Sequence, residues 1–313
     1  MVSRIDESLY NSIDSVITSK DNGRKIESLY ASVREITRAP MCLSAALDLQ
    51  KLEGSGMVLI ATGFPVIMDD GSTSCETDGP LGAVRLVYGL SLLGIDTHIM
   101  TDNLYSKHII RLLNSQELNT RISVARRGKR AERDIRDLLK KCNPDAIITV
   151  ELPGRGYDGR YHDMRGTDIT PYVAPLDLLV DYAPDVGART IGIGDGGNEA
   201  GMGWISDTVR REIDQGDKIA SKVKTDHLIV GSTSNWGAYG LMAALGDLCG
   251  KLLLCNGRTE ENLFIESFSS GLIDGKLKKS ARSVDGFDLE DNREIVRKLI
   301  ELIRYDELAC REE

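Results

Sequence analysis

The stretch IGIGDGGNEAGMG at 191–203 gathers six glycines and two acids directly after a short apolar run. Glycines free the backbone for tight turning and close ligand approach. Asp195, Asn198 and Glu199 supply oxygen ligands suited to a hard divalent cation, Mg²⁺ or Mn²⁺, or to a substrate ammonium. Gly192, Gly194 and Gly197 also match the nominal dinucleotide fingerprint, which would cradle a pyrophosphate. That fingerprint needs an acid at the end of the next strand to hold a ribose, yet the next apolar run, HLIV at 227–230, ends in Gly231-Ser232. Asp195 and Glu199 would also repel a pyrophosphate unless a cation intervened. A simpler alternative is that these acids cap a helix over 202–215.

Other chemistry-bearing clusters also follow apolar runs. Glu76 and Asp78 lie in ETDGPLG at 76–82, where Pro80 suits a first helical position and Asp78 reads either as a site acid or as a helix-start acid favoured by the dipole. Thr62 and Gly63 open a sharp turn through Phe64-Pro65 whose N–H groups could hold an anion. Arg155, Arg160 and Arg165 stand among glycines in the loop after AIITV, where arginine forks could clamp an acidic substrate. Solvated surface charge is the competing explanation for each. Ser234, Asn235 and Trp236 add a hydroxyl, an amide and an aromatic wall, a mixture common in small-molecule pockets. Trp236 reads equally well as core.

These clusters need a scaffold, and the apolar pattern supplies one. Runs of four or five apolar-rich residues at 58–61, 97–100, 121–125, 146–150, 190–193 and 227–230 suit strands buried on both faces. Between them, Ala83, Val87 and Leu90, then Ile205, Val209 and Ile213, then Leu241, Leu245 and Leu248 follow helical spacing. The alternation predicts a mostly parallel, doubly wound sheet between helical layers, a three-layer α/β/α fold. In such a sheet ligands bind beyond the carboxyl ends of the strands, so all the clusters above belong to one expected site.

Residues 1–56 read as a helical segment packed on a core at 57–255, and 256–313 as a second helical segment with Asp288 a candidate N-cap, all in one structural domain. The loop at 151–170 is the longest irregular stretch.

Forty-eight acids against 39 bases give a formal charge of −9 without a long basic run, which argues against a nucleic-acid partner. No run reaches the roughly 18 apolar residues of a membrane span. Six cysteines without a C-x-x-C pair, and no apolar leader, fit a soluble, cytoplasmic protein. A homo-oligomer is admitted.

ATGFPV at 61–66, ETDGPLGA at 76–83, DGRYHDMRGTDI at 158–169, GIGDGGNEAGMG at 192–203 and SNWGAYGLMAAL at 234–245 together resemble the C-terminal domain of the D-glutamate cyclase family. The ordered match covers about 57–250, and DGGNE and NWGAY are its most specific elements. The resemblance implies a lyase that converts D-glutamate, or a related small acidic amino acid, into 5-oxo-D-proline and water. Eukaryotic members carry a large additional N-terminal domain resembling hydro-lyases, for which 313 residues leave no room. The chemistry needs an unprotonated amine, a neutralised carboxylate and a proton carrier. Asp195 and Glu199 are the expected base or cation ligands, with Asn198 and Asp78 in support and Arg155 or Arg165 on the substrate carboxylate. A nicotinamide-dependent oxidoreductase and a non-catalytic small-metabolite binder are the rival readings.

Overall fold

The computed structural model describes residues 6–128 and 130–309; the opening residues and Cys310 fall outside it. Six parallel strands form the main sheet: β1 (Met57–Thr62), β2 (Asp96–Asp102), β3 (Arg121–Ala125), β4 (Ala146–Val150), β5 (Arg189–Gly194) and β6 (His227–Val230), in the order β3-β2-β1-β4-β5-β6. Each of the six apolar runs is one of these strands. The chain builds outward from β1 on one side and then returns to β4 on the other. The crevice between β1 and β4 is therefore the topological switch point, where a doubly wound sheet binds ligands.

Among the described residues, twelve helices surround the sheet: α1 (Glu7–Ile17), α2 (Ile26–Thr37), α3 (Met41–Gln50), α4 (Pro80–Leu92), α5 (Ser106–Ser115), α6 (Ala131–Cys142), α7 (Leu178–Val186), α8 (Ser206–Glu212), α9 (Gly216–Ile219), α10 (Ser234–Cys249), α11 (Gly257–Ser269) and α12 (Leu289–Ala309). Alternation along β1 shows the layering. Val58 and Ile60 point into the large cluster with α1, α3, α4 and α10, whereas Leu59 and Ala61 point to Ile135, Leu139 and Leu179 of α6 and α7. Each of the Val, Ile and Leu side chains contributes about 1.5–3 kcal/mol on burial. Asp288 does cap α12, accepting from the Asp291 N–H at 3.0 Å.

Two expectations change. RISVA is half-exposed rather than buried on both faces, because β3 is the sheet edge. The single helix expected over 202–215 is a 3₁₀ turn at Met202–Ile205 followed by the short α8, with no side-chain cap at either start.

Candidate functional site

Two loops at the switch point lock each other. Asp78, after β1, accepts from the N–H groups of Ser234 and Asn235 at 2.8 Å each, so it caps the start of α10 rather than that of its own helix. Asn235 returns the bond: its Oδ1 accepts from Gly79 and Gly82 N–H at 2.9 and 2.7 Å, at the start of α4. Each side chain thus satisfies orphan donors of the other's helix. Gly79 must be glycine here: its φ is 91°, and a Cβ would lie 2.6 Å from Thr62 Oγ1 and 2.7 Å from Glu151 Cβ.

The glycine loop after β5 fastens itself. Glu199 folds back to accept from the N–H groups of Asp195, Gly196 and Gly197 at 3.2, 2.8 and 2.7 Å. The donors that a pyrophosphate would require are therefore occupied by the chain's own carboxylate, and no long helix follows to aim a dipole at it. Asn198 donates to the His162 carbonyl at 2.8 Å and so anchors the 151–170 loop beside the glycine loop.

At the centre lie six carboxylates, Glu76, Asp78, Glu151, Asp195, Glu199 and Asp285, none more than 6% exposed. Asp78, Asp195 and Asp285 bring ligand oxygens within 4.8 Å of one another, and so do Glu151, Asp195 and Glu199. Among the described residues, one guanidinium enters this cluster. Arg24, from the turn between α1 and α2, pairs through Nη1 with Asp195 and, at 2.9 Å, with Asp285. Burial opposes its charge, but Asp195 and Asp285 more than offset that and hold its pKa above the ordinary arginine value.

Burial pushes the acids the other way. Asp78 is raised to about 7 by burial and then by Asp285. Glu76 is raised by burial and by Glu151, and Glu151 by burial and by Glu199. Asp195 is raised by burial, against which Arg24 acts. Glu151 and Asp285 also hold left-handed backbone conformations, with φ 43° and 51°. A glutamate in that region costs about 1–3 kcal/mol, strain of the kind that collects at functional sites.

Asp195 Oδ2 and Asp285 Oδ1, the oxygens outside the two Arg24 ion pairs, have no partner among the described residues. Orphaned, buried, acceptor-only oxygens in a triad of this size fit a hard divalent cation.

In front of the cluster opens a cavity of about 230 Å³, lined on its inner side by Arg24, Glu76, Glu151 and Asn198 and on its rim by Arg165, Lys276 and Lys278. Among the described residues, Arg165, Lys276 and Lys278 are not ion-paired to any carboxylate; the two lysines donate to the carbonyls of Asn22 and Ile67 at 2.5 and 2.7 Å. Phe64 and Pro65, past Thr62 and Gly63, form an apolar wall. Ser234 Oγ donates to Glu151 Oε2 at 2.5 Å.

Other expected residues are used elsewhere. Arg155 is bound to Asp177 and Asp181, both at 2.6 Å, and Arg160 to Asp168 at 2.8 Å, so neither fork is free for a substrate. Trp236 is core: it packs on Phe287 with ring centres 4.8 Å apart, and its Nε1 donates to Asn292 at 2.9 Å.

The family profile described as D-glutamate cyclase-like, C-terminal, matches residues 13–300. The chain belongs to the D-glutamate cyclase-like C-terminal family. It is also 37% identical over 214 residues to the human protein named D-glutamate cyclase, mitochondrial, an alignment covering 65% of this chain and 34% of that protein. The chain thus spans about a third of the length of the curated relative it matches.

In this cyclase-like chain, sequence reasoning missed Arg24, Glu151, Asp285, Lys276 and Lys278. Glu151 was within reach, since it directly follows the β4 run and the strand-end rule covers it. Arg24 and Asp285 were not: they sit in Asn22-Gly23-Arg24 and Asp285-Gly286, dipeptide contexts that read as plain turns within flanking helical segments.

Proposed function

We propose that the chain cyclises D-glutamate to 5-oxo-D-proline with loss of water, as a hydro-lyase acting on a small acidic amino acid. One observation carries this: the cavity is lined by three cations without a carboxylate partner among the described residues, together with two buried acids, Glu76 and Glu151, and the partly exposed Asp163. A substrate with two carboxylates and one ammonium has that charge pattern. Arg165, Lys276 and Lys278 bind its carboxylates and hold the chain folded, which supplies proximity. The amine nitrogen forms a bond to the side-chain carboxyl carbon, and one C–O bond of that carboxyl breaks. Two ammonium protons leave with the departing oxygen as water.

Glu151 and Glu76, whose affinity for a proton is raised by burial, take those protons and return them to the leaving oxygen. Asn198 orients the carboxyl group. A divalent cation, Mg²⁺ or Mn²⁺, held by Asp78, Asp195 and Asp285 would supply charge neutralisation at the attacked carboxylate. Five unpaired cysteines among the described residues support a reduced, cytoplasmic setting.

The test is a product assay. Protein incubated with D- or L-glutamate, with and without Mg²⁺ or Mn²⁺, is expected to release 5-oxoproline from the D-enantiomer, detected as loss of one water mass. Glu151→Gln should lower kcat by about 100-fold or more. No product from either enantiomer refutes the cyclase, and a ligand-induced thermal shift in that case identifies a non-catalytic binder.

A further inference from the structure

The acid cluster already contains a cation, and it belongs to the chain. Arg24 Nη1 sits between Asp195 and Asp285, two of the three carboxylates whose oxygens converge within 4.8 Å. Both of these aspartates are fully buried, and the second oxygen of each, Asp195 Oδ2 and Asp285 Oδ1, has no partner among the described residues. Asp78, the third member, is held rigidly by the N-terminus of α10. The guanidinium therefore supplies the only charge compensation these two aspartates receive from the described residues. Buried carboxylates left without it would be strongly destabilised.

The way Arg24 is delivered differs from everything else in the site. The acids come from strand ends and from a hairpin cross-braced by Asp274, which accepts from Ser283 Oγ and from Gly286 N–H at 2.8 Å. Arg24 comes from a surface turn, where Asp21, Gly23 and Lys25 are exposed. That turn has no strand pairing. Side-chain contacts hold it: Asp21 accepts from Gly23 and Arg24 N–H at 2.8 and 2.9 Å, Lys20 N–H donates to Ser232 Oγ at 3.2 Å, Asn22 Nδ2 donates to the Asp285 carbonyl at 3.3 Å, Lys276 to the Asn22 carbonyl, and the Lys20 ammonium pairs with Asp291 and Glu294. A three-carboxylate seat built on strand ends and a braced hairpin, closed by a guanidinium that arrives from a surface turn, is suited to exchange of one cation for another.

We propose that Asp78, Asp195 and Asp285 form a divalent-cation site for which Arg24 is the competing occupant, so that the ion expels the guanidinium and loosens the Lys20–Lys25 turn. The expelled guanidinium then faces the cavity that Arg24 already lines. The exchange does not depend on which substrate the cavity takes, and neither measurement below uses turnover, so its failure is separable from that of the cyclase assignment.

Two measurements test it. In the first, Mn²⁺ is titrated into the full chain and free ion is followed by electron paramagnetic resonance. One site is expected, bound at least tenfold more tightly by Arg24→Gln than by the wild type, and more weakly by Asp285→Asn. Equal or weaker binding by Arg24→Gln overturns the competition. In the second, hydrogen exchange of the unmodified chain is compared with and without Mn²⁺, which covers the case of a variant that does not fold. Amides of residues 20–25 should exchange faster with the ion bound, while those of α10 should not. Unchanged exchange at 20–25 under saturating Mn²⁺ overturns the proposal.

Discussion

Glu199 is the sharpest place to separate chemistry from scaffolding. Its carboxylate accepts three backbone N–H bonds in its own loop and is 1% exposed. Glu199→Gln preserves shape but replaces one acceptor oxygen with an NH₂ group. Since Oε1 serves Asp195 and Gly196 and Oε2 serves Gly197, either amide orientation leaves at least one donor facing a donor. The remaining bonds also lose their charge assistance. A charge-assisted bond contributes about 1.5–3 kcal/mol, and an unsatisfied buried donor costs about 1–3 kcal/mol. Some of this is recovered by relaxation, so the expected destabilisation is about 2–4 kcal/mol. For a chain of this size that corresponds to a Tm drop of roughly 4–8 °C. Differential scanning calorimetry of the purified variant measures it. In parallel, 5-oxoproline formation should fall only as far as loop disorder demands, and a moderate drop in temperature should restore part of it. An unchanged Tm with abolished turnover would refute this account and make Glu199 a reacting group.

Two further outcomes follow from the electrostatics. Arg165→Ala should raise KM about tenfold or more with little change in Tm, whereas Arg155→Ala, which strands the buried Asp177, should lower Tm and leave KM nearly unchanged; the opposite pattern would return Arg155 to the substrate. Asp78 is raised to about 7 from an ordinary 3.8, so the folded state holds a proton that the unfolded chain has lost; its stabilising effect is complete below about pH 4 and disappears as pH rises through 7. Glu76, raised in the same direction, adds to this. In EDTA, Tm should therefore fall between pH 5 and pH 8, and Glu76→Gln should flatten the fall; a Tm that climbs over that range in both proteins contradicts the assignment.

Much of this protein was legible residue by residue. All six sheet strands are visible as apolar-rich runs: the inner strands because burial on both faces calls for apolar residues at consecutive positions, and the half-exposed edge strand β3 with only part of that pattern. The rule that ligands gather beyond strand ends brought Asp78, Asp195, Asn198, Glu199 and Asn235 into one neighbourhood, and it extends to Glu151. The motifs ETDGPLG and SNWGAYG were also conspicuous, since two helix starts that cap each other need small, amide and acidic residues at fixed places.

What each polar side chain does with its position was decided only in three dimensions. Trp236 became a core residue because its partner, Asn292, lies 56 residues away, whereas the clasp made by Glu199 is local, closing onto the N–H groups two to four residues before it. Arg155 was drawn to Asp177, 22 residues away, leaving Arg165 to face the cavity. Arg24 and Asp285 meet across 261 residues of chain, a separation that no local pattern encodes. Periodicity reports which face of an element is buried; ion pairing depends on where separate elements converge, and packing alone determines that.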